Sequence, residues 1–215
     1  MQDKKTYAVF GLGRYGSAVA KELVENGREV MAVDVDPKIV NNAASYLPVC
    51  KCADITDAEV IARLDIGSID TVIICMASNQ EASVMAVTLC KEAGVKTVIV
   101  KCANEMHQRI LRRVGADRVV FPEKEAGMHL AKNLLSAGFI DIISLSSDVS
   151  VVEISVKEEW VGKNLLDLGL RRKYGINVVA VRKGEEANVD IDPQQALERE
   201  MTLVVIANAE KLKNL

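Results

Sequence analysis

Three glycines, Gly11, Gly13 and Gly16, stand in the spacing G-x-G-x-x-G within YAVFGLGRYGSAVA. An apolar run over 7–10 precedes them. A helical pattern follows, in which Val19, Leu23 and Val24 are apolar while Lys21, Glu22 and Glu25 are polar. Strand, tight turn and helix start form the setting in which this spacing holds a nucleotide. Gly11 permits the turn, Gly13 lets the backbone approach a pyrophosphate, and Gly16 lets the helix pack closely on its strand. The N–H groups and dipole of the helix start then hold the phosphates. Leu12, Arg14 and Tyr15 share the loop. A forked cation at Arg14 grips phosphate oxygens bidentately and suits a chain of two or three phosphates. The alternative is an Arg that swings into solvent.

The run EVMAVD ends in Asp34, close to the ~20-residue spacing at which an acid meets a ribose hydroxyl. As an alternative, Asp34 caps the following turn. Val35, Asp36 and Lys38 lie just beyond it. Ligands of a doubly wound sheet sit outside the carboxyl ends of its strands. The remaining ends are Ala53-Asp54-Ile55, Met76-Ala77-Ser78 and Lys101-Cys102-Ala103, with His107 one turn into the next helix. Asp54 and Ser78 read equally well as helix caps. Glu123 lies in a first helical turn, where the dipole alone favours a carboxylate. The functional alternative is a carboxylate that shares a divalent cation, Mg or Ca, with nucleotide phosphates.

These residues need a scaffold, and the hydrophobic pattern supplies one. Strands are expected over 7–10, 30–34, 49–52, 71–76, 97–101 and 118–121, all apolar on consecutive positions, as in a parallel sheet buried on both faces. Helices are expected over 15–25, 37–45, 57–64, 80–93 and 105–114. Asp36-Pro37 and Thr56 serve as start signals, and Gly27, Gly94 and Gly115 as stops. Six strands with five helices between them make an α/β, doubly wound, Rossmann-like domain over residues 1–144. Its last helix, from Glu123 to about 137, has an apolar face suited to packing on a partner chain. Residues 139–150 read as a connector. Residues 145–215 read as a small α+β module, with strands over 149–156, 176–182 and 203–208 and a helix over 164–173. Trp160, the chain's only tryptophan, reads as a core or rim aromatic.

Composition narrows the function. The chain has 215 residues and a net charge of −3, with no long basic run, so nucleic acid is not an expected partner. No apolar stretch is long enough to span a membrane and no signal peptide opens the chain, so a cytoplasmic protein is expected. The five cysteines read as reduced core thiols, and Cys50-Lys51-Cys52 is neither a zinc nor a redox spacing. Only His107 and His129 are present, so the second domain offers no histidine as a proton donor. A small NAD(P)-dependent oxidoreductase is therefore disfavoured. A redox-responsive NAD-binding regulator would normally add a nucleic-acid-binding module, which the sequence does not offer.

YAVFGLGRYG at 7–16, AVDVD at 32–36, GADRVVFPEKEAG at 115–127 and LRRKYGINVVAV at 170–181 resemble the cytosolic regulatory subunits of bacterial Ktr/Trk potassium uptake systems, the KtrA type most closely. The resemblance covers essentially the whole chain, as an N-terminal and a C-terminal RCK (regulator of potassium conductance) domain. It implies a non-enzymatic gating ring: a homo-oligomer whose dimers assemble, usually as an octamer, on an integral-membrane potassium-translocating partner. ATP against ADP, or NADH against NAD in the Trk branch, would change the ring's shape. Carried over residue by residue, Gly11, Gly13 and Gly16 would form the phosphate loop, and Arg14 would meet the terminal phosphate of ATP. Asp34 and Asp36 would meet the ribose; Asp54, Ile55, Met76, Ala77 and Lys101 would line the base and ribose pocket. His107 would approach the phosphates, and Glu123 would help place a divalent cation. The helix after Glu123 would be the crossover helix of the dimer. Some members bind cyclic di-AMP through the C-terminal domain. The corresponding region here is 165–171, where Arg171 fits and Gly169 replaces a residue that is often polar.

Overall fold

The computed structural model describes residues 5–135, 139–146, 148–208 and 211. The chain divides into two compact units between Pro122 and Glu123. The first alternates strands and helices: β1 (Thr6–Phe10), α1 (Arg14–Glu25), β2 (Glu29–Asp34), α2 (Pro37–Ala43), β3 (Val49–Cys52), α3 (Ala58–Arg63), β4 (Thr71–Ile74), α4 (Gln80–Glu92), β5 (Thr97–Lys101), α5 (Glu105–Arg113) and β6 (Arg118–Val120). The six strands form one parallel sheet in the order β3-β2-β1-β4-β5-β6. This is the expected doubly wound domain. Its strands are apolar on consecutive positions because both faces are covered: Ala8, Phe10, Val33, Val72 and Val98 enter one core, while Val9, Ala32 and Ile73 enter the other. The chain runs outward from β1 to β3 and then returns to place β4 on the other side of β1. That reversal opens a crevice at the carboxyl ends of the strands.

Local details depart from the sequence reading. β4 stops at Ile74, so Met76, Ala77 and Ser78 belong to the loop after it. Asn79, not Ser78, caps α4 by accepting from the Ala82 N–H at 3.0 Å. Asp57, not Thr56, caps α3 by accepting from the Glu59 N–H at 2.8 Å. Thr56 instead donates to Asp54. In both cases a side-chain carbonyl or carboxylate one residue further on has the reach to satisfy the first-turn N–H groups. All five cysteines are free, but Cys52 is exposed rather than part of the core.

The second unit holds α6 (Pro122–Leu135, opening at the division), β7 (Phe139–Ser144), β8 (Val149–Ser155), α7 (Leu165–Leu168), α8 (Leu170–Tyr174), β9 (Asn177–Lys183), β10 (Glu186–Asn188) and β11 (Met201–Asn208). Its antiparallel sheet has the order β10-β9-β11-β8-β7. Residues 139–144, read as a connector, are therefore a strand: they pair with β8 through a tight turn closed by the Leu145 and Ser146 N–H groups on the Val149 carbonyl. The Ser/Asp-rich stretch that suggested a linker is that turn. The single helix expected over 164–173 is two, because Gly169 (φ 53°) reverses the backbone between α7 and α8. Trp160 packs in the core with Val152, Ile154, Leu168, Ile176 and Leu203. Along α6, Met128, Leu130 and Leu134 are exposed. The expected end of α6 near residue 137 lies outside the described residues.

Candidate functional site

Each glycine of the fingerprint has a different surrounding. Gly11 adopts φ 86°, and its amide donates to the Val33 carbonyl at 2.8 Å. A Cβ at Gly16 would lie 1.9 Å from the Gly11 carbonyl oxygen, so only glycine lets α1 come this close to the loop. A Cβ at Gly13 would meet nothing within 4 Å. Open space thus faces the backbone where a pyrophosphate would approach. Gly13 is also the N-cap of α1; it offers no side-chain cap, and no acidic residue occupies the first turn. The helix start therefore keeps its affinity for anions.

Asp34 ties this loop to β2. Its Oδ2 accepts from the Leu12 N–H at 2.6 Å and its Oδ1 from the Asp36 N–H at 2.9 Å. Each oxygen keeps one acceptor position, enough for the two hydroxyls of a ribose. Asp36 spends one oxygen on the Lys38 N–H (2.8 Å) as the cap of α2.

A cleft of about 410 Å³ runs along these strand ends. Of the residues singled out from the sequence, Gly11, Gly13, Asp34, Val35, Asp54, Ile55, Met76 and Ser78 line it. Val33, Ile39, Ala53, Thr56, Cys75, Asn79 and Ala82 complete the wall. Most of these extend strand ends already identified; Ile39, in the first turn of α2, carried no signal except being apolar beside a polar turn. Burial pushes the Cys75 thiol up to about 12, despite the nearby charge of Lys101, so it serves as an inert wall. Asp54 is held below the usual carboxylate range by the Thr56 backbone N–H first and the Thr56 hydroxyl second.

The other candidates lie elsewhere. Leu12 and Gly16 are buried behind the loop, Ala77 is buried beside Met76, and Lys38 is exposed on α2. Arg14 is exposed on the first residue of α1. Lys101 stands with its Nζ 5.5 Å from the centre of the Tyr15 ring, beside the start of α1, and does not line the cleft. His107 does not line the cleft. It is fully buried, its Nδ1 accepts from the Ala103 N–H at 3.2 Å, and its Nε2 is 2.9 Å from the Ser83 hydroxyl. With Nδ1 an acceptor, Nε2 carries the proton and donates to Ser83, which donates in turn to the Gln80 carbonyl at 2.8 Å. Burial holds the imidazole below its ordinary pKa, so it is a neutral strut between α4 and α5. Glu123 is exposed in the first turn of α6, in the second unit. Among the described residues no three His, Cys, Asp or Glu side chains gather as a metal site.

The second unit has a cleft of its own, about 500 Å³, lined by Leu165, Leu166, Gly169, Arg171, Arg172 and Asn177 among others.

Fold and site define a class: a doubly wound nucleotide-binding domain followed in the chain by a small antiparallel-sheet module. The TrkA-N domain family matches residues 7–122 and the TrkA-C domain family residues 149–215. The chain belongs to the Ktr/Trk family of potassium uptake proteins. It is 38% identical over 205 residues to the Ktr system potassium uptake protein C of Bacillus subtilis (strain 168), covering 95% of this chain and 93% of that one. It is 34% identical over 210 residues to the Ktr system potassium uptake protein A of Vibrio alginolyticus, covering 98% and 96%. Among solved structures, the GsuK channel bound to NAD superposes with a TM-score of 0.65 at 15% identity; the match covers 98% of this chain and 38% of that channel, and is a likeness of fold.

Proposed function

We propose that this protein is a cytoplasmic, non-enzymatic regulatory subunit that gates potassium transport by a membrane-embedded partner, with ATP against ADP as its input. The observation that carries the reading is the helix start at Gly13. It combines open space over the backbone, no cap on the first turn and an exposed Arg14 at its first residue, with Asp34 presented for a ribose. That arrangement grips the phosphate end of a nucleotide, and the one histidine on this unit is sealed as a strut rather than offered for proton transfer. NAD(H) is the second reading, because a ribose-binding acid serves either ligand. The residues fit a nucleotide. Glu123 is the candidate carboxylate for a divalent cation in this reading, with water completing the shell, as Mg²⁺ commonly keeps several waters. The exposed apolar face of α6 supports dimerisation, and assembly of dimers into an octameric ring follows the family pattern. The cleft beside Arg171 and Arg172 is the place for cyclic di-AMP in this reading. No helix among the described residues is long and apolar enough to cross a membrane, so translocation falls to the partner.

Calorimetry with ATP, ADP, NAD and NADH on wild type and Arg14→Ala tests this. Loss of one charge-assisted contact to the terminal phosphate should weaken ATP by about 10-fold or more and ADP only slightly. Equal losses for ATP and ADP would remove the terminal-phosphate role. Tight NADH binding without ATP binding would transfer the input to the redox pair.

A further inference from the structure

The first turn of α4 belongs to the cleft: Asn79, which caps it, and Ala82 both line the wall. Ser83 comes next in the chain and is fully buried. Its one hydroxyl proton goes to the Gln80 carbonyl (2.8 Å), so Oγ meets His107 Nε2 as an acceptor (2.9 Å). The same imidazole accepts from the Ala103 N–H on Nδ1 (3.2 Å), and the His107 backbone N–H donates to Asn104 Oδ1, the cap of α5 (2.8 Å). One residue thus joins the turn of α4 that forms the cleft wall to the loop between β5 and α5. Further along, the two helices give the core Ala86, Val87, Cys90 and Leu111, all apolar. Apolar burial has no direction and lets a helix slide or turn, whereas a hydrogen bond fixes distance and angle. A buried Ser–His pair also costs more than an apolar pair unless every polar atom is satisfied, and here each one is.

We propose that His107 is a positioning residue for the cleft: through Ser83 it holds the first turn of α4, and with it Asn79 and Ala82, in place for the ligand, and it carries the seating of that ligand back to the start of α5. This rests on reading the cleft as a nucleotide site. The coupling is reciprocal. Whatever part of the binding energy depends on the position of that turn, the nucleotide returns to the Ser83–His107 contact by the same factor. His107 touches no ligand in this scheme; its effect runs entirely through the Ser83 hydroxyl.

The test uses the full-length protein with ATP, ADP and NAD, by calorimetry and by hydrogen exchange read on peptides. In wild type, nucleotide should slow exchange in the glycine loop and also over 103–111, although that stretch does not line the cleft. Ser83→Ala should bind about 5-fold more weakly, the worth of one hydrogen bond, and should lose the response over 103–111 while keeping that of the glycine loop. His107→Gln keeps an N–H donor for Ser83 and should stay within about 2-fold of wild type. A pair with a merely structural role would lower the melting temperature and leave the affinity of the folded protein unchanged. Wild-type affinity in Ser83→Ala, a response over 103–111 that survives in it, or a His107→Gln as weak as Ser83→Ala would each overturn the assignment. So would a wild type that binds nucleotide with no response over 103–111, a comparison that needs no variant and stands if Ser83→Ala misfolds. Failure of wild type to bind any of the three nucleotides would overturn the nucleotide reading itself, and this proposal with it.

Discussion

Two glycines of one fingerprint should respond in opposite ways to the same methyl group. At Gly16 an added Cβ would stand 1.9 Å from the Gly11 carbonyl oxygen and 3.2 Å from the Cys75 Cβ. The first obstacle is backbone and cannot rotate away. Carbon–oxygen contacts relax at roughly 3.3 Å, so the start of α1 must retreat by about 1.4 Å. Overpacking of this kind costs about 1–3 kcal/mol, and a backbone obstacle belongs at the upper end. At roughly 4 °C per kcal/mol for a domain of this size, Gly16→Ala should melt about 12 °C below wild type without ligand. At Gly13 the Cβ meets nothing within 4 Å, and the backbone (φ −65°, ψ −174°) suits alanine. Gly13→Ala should therefore melt within about 4 °C of wild type when empty, a change under about 1 kcal/mol. In the proposed reading, the space it fills is the phosphate's. Ligand at 100-fold over Kd stabilises wild type by about 2.7 kcal/mol, or about 10 °C, and Gly13→Ala should lose most of that shift. Scanning calorimetry of the three proteins, empty and with ATP or NAD, measures both quantities. If Gly13→Ala kept the full ligand shift, or if it melted as low as Gly16→Ala when empty, the division of labour between the two glycines would be wrong.

Asp34→Ala removes the acceptor for the Leu12 and Asp36 N–H groups; stability should drop by about 1–2 kcal/mol in denaturant titration, and nucleotide affinity by about 10-fold or more. Wild-type affinity in that variant would end the ribose role. His107 gives a pH signature. Burial holds its folded pKa below the ordinary 6.5, so in acid the unfolded chain takes up a proton that the folded one resists. Stability from this group is complete above pH 6.5 and falls as the pH drops below it toward the folded value. Denaturation midpoints from pH 8 to 5.5 should slope downward in wild type and be flatter in His107→Gln; parallel slopes would show that the strut does not titrate.

The first domain was legible because its signals are local. Each parallel strand is a consecutive apolar run, and the glycine spacing sits between a strand and a helix, so both read out within a few residues. The helix α5 was legible over 105–114, but its buried face was not. Met106 and Ile110 are apolar at helical spacing, yet they are 59% and 40% exposed, while His107 and Leu111 face the core. On that buried face His107 meets Ser83 of α4, 24 positions away in the chain. The stretch 139–144 misled for a different reason: its turn is rich in Ser and Asp, which marks a linker and a hairpin alike. Gly169 is a similar case, since a glycine inside a helical pattern reads as tolerated or as a break, and only its backbone angle decides.

The sequence by itself determined the order of elements in the first domain, its parallel sheet, the glycine loop and the acid at the end of β2. Those depend on steric needs of single positions and on the period of burial. Tertiary structure alone decided that Lys101 stands over Tyr15, that His107 is a strut rather than a ligand, and that Ile39 shares the wall lined by Asp54. Each depends on how a helix is rotated against the sheet, which residues distant in the chain settle through contact.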